Sequence, residues 1–188
     1  MIHTSAVQFT EAMNHEGFLP CNEDKRYDVP GCSGICTEVE TLALLFGFVR
    51  ALQPKVVVET GCNVGCASQA ICAALRANGE GDLFTCDVEQ AHVNRTNLHV
   101  TYMFRLHSYA ATGLELVTIY ASSADMYFID SSDESRMEEL EYLRTHGKPG
   151  AVVLVHDTSL YLHVRQVVES FPRHVILPGP RGLGVITL

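Results

Sequence analysis

From Lys55 to the C-terminus the chain alternates short apolar runs with amphipathic stretches, and this alternation most constrains its fold. Lys55–Glu59 reads KVVVE, a β-branched run entered from Pro54, with the length and composition of a buried strand. Asn63–Asn78 carries Val64, Ala67, Ala70, Ile71, Ala74 and Leu75 at helical spacing, with Gly79 as its stop. Asp82–Cys86 reads as a second strand, Val100–Leu106 as a third and Tyr109–Ala121 as a helix. Met126–Ile129 is a fourth strand and Glu134–His146 a helix with a charged face. Ala151–Val155 is wholly apolar, as a strand buried on both faces should be. Leu160–Phe171 is helical, and Val175–Leu177 with Gly184–Leu188 closes the chain as a hairpin around residues 178–182. Such repeated alternation predicts an α/β fold, a mostly parallel sheet with helices on both faces.

The chain before this core reads differently. Residues 1–31 are rich in Asn, Glu, Asp, Pro and Gly and show no regular period. Thr37–Leu52 then reads as a helix: Thr37 as N-cap, Glu40 three residues on as in a capping box, and Leu42, Leu45, Phe46 and Val49 as the buried stripe. A length of 188 residues suits one domain, so the expected division is an N-terminal arm and lid over 1–33 and a single sheet-bearing domain over 34–188.

Charge narrows the partners. Lys and Arg number 13 against 22 Asp and Glu, a formal charge of −9, so a positive field for nucleic acid or anionic lipid is missing. Apolar stretches such as Leu42–Phe46 fall far short of the ~18–20 residues of a membrane-spanning helix. Met1–Ser5 lacks a basic region followed by an apolar core, so no secretory signal is expected. Seven cysteines, an odd number, do not suggest a disulfide scaffold, and reduced thiols in the cytoplasm are the expectation. Cys21, Cys32 and Cys36 lack the C-x-x-C spacing of a zinc site and read as packed or loop thiols.

Between the first strand and its helix lies Glu59-Thr60-Gly61-Cys62-Asn63-Val64-Gly65. Gly61 allows a tight turn and close backbone approach, Gly65 lets the helix start pack on the sheet, and a helix N-terminus there suits an anion. An ordinary strand-to-helix turn would use the same glycines. No Gly-Lys-Ser/Thr follows, which excludes a triphosphatase phosphate loop, and Asn63 stands where a dinucleotide turn needs glycine. Glu59 just before the turn would repel a pyrophosphate but attract a cationic amine. Asp87 ends the second strand, 26 residues past Gly61, where an acid can accept both ribose hydroxyls.

ETGCNVGCAS, followed by FTCDVE, MYFID, KPGAVVLVHD and a closing RGLGVITL, resembles the class I S-adenosylmethionine-dependent methyltransferases. Within them it is most similar to the small-molecule O-methyltransferases, the catechol and sugar or macrolide kinds, over residues 34–188. The resemblance implies a Rossmann-like three-layer sandwich whose seven-stranded sheet has the order 3-2-1-4-5-7-6, with the last strand antiparallel. It implies S-adenosylmethionine contacts at Glu59, Thr60, Gly61, Asn63, Gly65, Ser68, Asp87, Val88 and Asp130. His107 and Ser108 are expected to join them from a turn bordering the adenine. Ser68 is one place beyond the family's usual hydroxyl position, which here is Ala67.

Asp130 ends the fourth strand and His156-Asp157 the fifth, so the three side chains should gather at the carboxyl-end crevice. Two mechanisms are open. Asp130, His156 and Asp157 could hold a divalent metal, Mg or Mn, that lowers the pKa of an acceptor hydroxyl. Alternatively His156 could remove the proton as general base, with Asp130 beside it. Metal-dependent relatives carry an Asp-Asn or Asp-Asp pair after the fifth strand, and an imidazole in that pair suits Mn, Fe or Zn better than Mg. Asp157 would also serve as an ordinary helix N-cap. Tyr161 and His163 are candidate acceptor contacts.

The expected activity is methyl transfer to a hydroxyl of a small molecule. A catalytically silent S-adenosylmethionine-binding module or partner subunit and an NAD-dependent oxidoreductase stay as alternatives. A homodimer is expected, because so short a chain has little room for a substrate domain.

Overall fold

The computed structural model describes residues 37–100, 105–179 and 181–188. Its elements are α1 (Val39–Leu52), β1 (Val56–Thr60), α2 (Cys66–Asn78), β2 (Asp82–Asp87), α3 (Gln90–His99), β3 (Leu106–Ala110) and α4 (Gly113–Tyr120). They are followed by β4 (Met126–Ile129), α5 (Asp133–His146), β5 (Val152–His156), α6 (Leu162–Glu169), β6 (His174–Leu177) and β7 (Leu183–Thr187). The seven strands lie in the order β3-β2-β1-β4-β5-β7-β6, all pairs parallel except those of β7 with β5 and β6.

Successive strand residues point to opposite faces, and the two cores follow from that. Val57, Met126, Phe128 and Leu154 meet the apolar sides of α1 and α2, among them Leu42, Leu45, Phe46, Val49, Ile71 and Leu75. Val58, Tyr127, Ile129, Val153 and Val155 meet Leu116, Val117, Leu140, Leu143, Val164 and Val168 on the other side. Helices therefore cover both faces, as the uninterrupted apolar runs of β4 and β5 require.

Three local expectations are corrected. The third strand is β3 at 106–110 rather than Val100–Leu106, and the helix after it begins at Gly113 rather than Tyr109. β3 is the edge of the sheet and largely exposed, so it lacks the apolar signature that marks central strands. The helix α3 was not anticipated because it buries only Val93 and Thr96. Lastly, α1 starts after Glu38, so the N-cap position falls on Glu38 rather than on Thr37. A capping box is present at α4: Thr112 Oγ1 accepts from the Glu115 amide at 3.3 Å, and the Glu115 carboxylate accepts from the Thr112 amide at 2.8 Å.

The expected arm, 1–33, lies outside the described residues, as do Cys21, Cys32 and Cys36. Among the described residues no helix is long and apolar enough to cross a membrane.

Candidate functional site

The sheet reverses direction of assembly at β1, with β2 and β3 built on one side and β4 and β5 on the other. Beyond the carboxyl ends of such strands an open α/β sheet leaves a crevice. Here a cavity of about 370 Å³ opens there, between the turn after β1 (Gly61, Asn63), the loop after β2 (Asp87, Val88, Glu89) and the segment Ala111–Gly113 after β3. Asp130, Ser131 and Ser132 after β4 form the facing wall.

Local backbone chemistry shapes this cavity. Gly61 has φ +79°, and a Cβ there would run into the carbonyl of Asp130, so only glycine lets the first turn lie against the end of β4. The Gly61 and Cys62 amides donate to the Cys86 carbonyl at 2.9 and 3.0 Å, tying the turn to β2. Asp87 is anchored by the Asn63 amide at 2.9 Å on one oxygen, and by the Glu89 amide at 3.0 Å and His92 Nδ1 at 3.1 Å on the other. A carboxylate has about four lone-pair sites, so Asp87 retains acceptor capacity toward the cavity.

Of the residues expected to touch the cofactor, Gly61, Asn63, Asp87, Val88 and Asp130 line the cavity. Glu59 does not. It is 1% exposed beneath the turn, where Thr85 Oγ1 at 2.6 Å and the Ser68 hydroxyl donate to one of its oxygens. Burial pushes its carboxyl up to about 7 in spite of those two donors, so it is not a fixed anion awaiting an ammonium. Ser68 is thereby engaged inside the core rather than free for a ligand. Thr60 donates to buried Glu139 of α5 at 2.9 Å, and Gly65 is backed by Thr96 of α3. His107 and Ser108 lie within β3, not in a turn after it: His107 stacks on Phe84 with centroids 4.7 Å apart, and Ser108 donates to Asn97 at 2.8 Å. The turn that borders the cavity in their stead is Ala111–Gly113.

Asp130, His156 and Asp157 do come together, with ligand-type atoms all within 4.8 Å of one another. Only Asp130 reaches the cavity; its side chain is 16% exposed, whereas His156 and Asp157 are buried behind it. Three further residues complete the cluster. Arg136 of α5 donates to Asp130 Oδ1 at 2.8 Å, to Asp157 Oδ2 from both terminal nitrogens at 3.2 Å, and to the His156 carbonyl at 3.1 Å. Arg181, from the β6–β7 loop, donates to Asp157 Oδ2 at 2.7 Å. Glu38, at the start of α1, meets His156 Nε2 at 2.8 Å, while His156 Nδ1 faces Asp130 at 3.0 Å. Burial acts to lower the His156 pKa, but Asp130, Glu38 and Asp157 outweigh it and raise the ring to about 10. Glu38 is held below its ordinary value: burial opposes ionisation, but the bond to His156, the charge of that ring and the Thr41 hydroxyl together more than offset it.

Both ring nitrogens of His156 are thus engaged by carboxylates, which favour its protonated form and oppose a role as general base. Nor does the donor set fit a divalent ion as it stands, because guanidinium groups already bind the carboxylates that would ligate it. Tyr161 lies over Arg136, 5.6 Å from guanidinium to ring centre, at the outer edge of the cluster. His163 pairs with Asp133 at 3.0 Å on the surface.

Glu38, Arg136, Arg181, Glu139 and His92 were not singled out in the sequence. For two of them a signal existed. Arg136, Glu139, Leu140 and Leu143 form one stripe at helical spacing, and all four are buried. A buried stripe whose first two positions are charged marks a polar site beneath the helix.

A sheet of order 3-2-1-4-5-7-6 with an antiparallel seventh strand, carrying a cavity over β1 and acids at the ends of β2 and β4, defines the class I S-adenosylmethionine-dependent methyltransferase fold. The family model described as a methyltransferase domain matches residues 58–158, and the chain belongs to that family. Solved structures bear out the fold. The O-methyltransferase TomG of Streptomyces achromogenes, involved in tomaymycin synthesis and in complex with S-adenosylmethionine, is 16% identical, with a TM-score of 0.70 over 100% of this chain and 94% of its own. The Bacillus cereus O-methyltransferase in complex with S-adenosylhomocysteine is 14% identical, with a TM-score of 0.65 over 97% and 91%. A methyltransferase of Geobacter sulfurreducens is 18% identical, with a TM-score of 0.69 over 80% and 79%. Among curated proteins none matches the chain significantly.

Proposed function

We propose that this protein binds S-adenosylmethionine in the cavity over β1 and transfers its methyl group to a hydroxyl of a small molecule. The observation that carries this reading is the pair of acids at opposite walls of one cavity, Asp87 anchored with acceptor capacity in hand and Asp130 partly exposed. Asp87 would accept the ribose hydroxyls. Gly61, which lets the first turn lie against the end of β4, and Asn63 would bring the backbone of that turn to the ligand. Ala111 and Thr112 would flank the base.

Bound S-adenosylmethionine supplies an electrophilic methyl group on a sulfonium. The residues of this chain contribute position rather than covalent chemistry. Asp130 faces the reacting region with one oxygen held by Arg136 and His156, so its carboxylate is oriented and can accept the hydrogen bond of an acceptor hydroxyl. Fixing nucleophile and methyl group in line accounts for much of the acceleration of such a transfer, on the order of several kcal/mol. With both nitrogens of His156 occupied by Glu38 and Asp130, acceptors whose hydroxyl is acidic, such as phenols or enols, are favoured over aliphatic alcohols.

The arm over residues 1–33 is proposed to decide the acceptor, because it precedes Glu38, whose carboxylate meets His156 in the cluster. A homodimer, in which another subunit would help to complete the acceptor site, is proposed, and sedimentation velocity tests it. Calorimetric titration with S-adenosylmethionine, S-adenosylhomocysteine and NAD tests the main reading. Binding of the first two is expected; binding of NAD alone would overturn it. Binding of S-adenosylmethionine with no methyl transfer to any phenol or alcohol panel would point to the silent module instead.

A further inference from the structure

Asp130, His156 and Asp157 have the donor types and spacing of a cation site, and a cation is indeed present between them. It is a guanidinium. Arg136 reaches Asp130 with one terminal nitrogen at 2.8 Å and Asp157 with both at 3.2 Å, so it bridges the two carboxylates that a shared ion would bridge. Its side chain is 5% exposed, and a further nitrogen bond to the His156 carbonyl at 3.1 Å fixes its orientation. Arg181 approaches Asp157 from the opposite element, the β6–β7 loop, at 2.7 Å. Gly182 makes that approach possible: at φ +79° it lies against Thr158 and Ser159, where a Cβ would collide with the Ser159 side chain. Both ring nitrogens of His156 face carboxylate oxygens, Glu38 at 2.8 Å and Asp130 at 3.0 Å, which leaves no ring lone pair directed at an ion. Two guanidiniums thus stand against the carboxylates of Asp130 and Asp157, the two acids that a divalent ion would need. Arginine keeps its proton at every ordinary pH, so no change of conditions vacates the position.

We propose that Arg136, with Arg181 beside it, is the resident cation of this cluster, replacing a divalent metal and orienting Asp130 toward the cavity. Arg136 is then a positioning residue, acting on the acceptor only through Asp130. The orienting role rests on the methyl-transfer reading; the replacement of metal does not.

Titration of the full chain with Mn²⁺, followed by the electron paramagnetic resonance signal of the free ion, separates the two. The wild type is expected to leave the free-ion signal undiminished at one equivalent, and EDTA to leave the melting temperature unchanged. Uptake of one Mn²⁺ per chain, lost in Asp157→Asn, would overturn the proposal. Arg136→Gln, and independently Arg181→Gln, confirmed as folded by circular dichroism, are expected to gain Mn²⁺ uptake that a second substitution, Asp157→Asn, removes. Should both fold and still take up no Mn²⁺, arginine is not what fills the site and the proposal fails. If either variant does not fold, the other and the wild-type titration carry the test. Failure of the wild type to bind S-adenosylmethionine would overturn the methyl-transfer reading while leaving the Mn²⁺ result to stand by itself.

Discussion

Asp87 and Gly61 are the residues on which ligand binding turns. Asp87 is fixed by two backbone amides and His92, so its carboxylate is ordered before any ligand arrives. Hydrogen bonds to an ionised group contribute about 1.5–3 kcal/mol, so Asp87→Ala should weaken S-adenosylmethionine binding by about 10–100-fold in calorimetry. Gly61→Ala should act differently. Its φ of +79° and the contact with the Asp130 carbonyl make the alanine form less stable by more than about 1 kcal/mol, read as a lower midpoint in urea. Arg136 has a mixed character. Removing it leaves Asp130 and Asp157 short of a counter-charge in a buried site, and Arg136→Met is expected to cost about 3–5 kcal/mol by the same denaturation measurement.

Elements succeed or fail in the sequence according to how much apolar surface they bury. β4 was legible to the residue, and β1, β2, β5 and β7 to within about a residue at each end, because their runs are buried on both faces. β3 at the sheet edge and α3 on the surface were misread or missed, since neither has a complete apolar period. The start of α4 was displaced for the same reason, although its own chemistry marks it: Thr112 and Glu115 are a capping box on either side of Gly113-Leu114. Thr112→Ala should lower stability by about 0.5–2 kcal/mol, measured as a fall in melting temperature. The arm is tested at this scale too. Deleting residues 1–33 is expected to abolish turnover of whichever acceptor is found while leaving S-adenosylmethionine affinity within about a factor of 3.

The whole molecule carries an unusual pair of buried acids beneath the cavity. Burial raises Glu59 and Glu139 to about 7, the latter despite donors from Ser131 at 2.7 Å and Thr60 at 2.9 Å. In the unfolded chain both would titrate near the ordinary 4.5, so between 4.5 and 7 the folded state binds more protons than the unfolded one. Their contribution to stability is therefore full below about pH 4.5 and declines as pH rises toward 7, on the order of 3 kcal/mol for each group. Thermal melts from pH 5 to 7.5 should show the melting temperature falling with pH. Glu139→Gln, which can still bond both hydroxyls, should flatten that slope by about half. A slope of opposite sign in the wild type would refute the assignment.

Read from the residues alone, this chain was already an α/β protein with a glycine turn after its first strand and acids closing the second and fourth. Those features are local: a period of two, a residue without a Cβ, and a carboxylate at the end of an apolar run each act on their immediate neighbours. The strand order, implied by resemblance, and the meeting of Asp130 with His156 and Asp157 also held in the structure. What those three residues can do was decided only by tertiary structure. Glu38, Arg136 and Arg181 come from α1, α5 and the β6–β7 loop, 118 residues apart in the case of Glu38 and His156. Their side chains occupy the carboxylates and imidazole that the sequence offers as base or metal ligands. Burial likewise moved Glu59 and Ser68 from the ligand side of the turn into the core. The protonation and accessibility of a side chain depend on everything packed around it, and a linear pattern does not encode that surrounding.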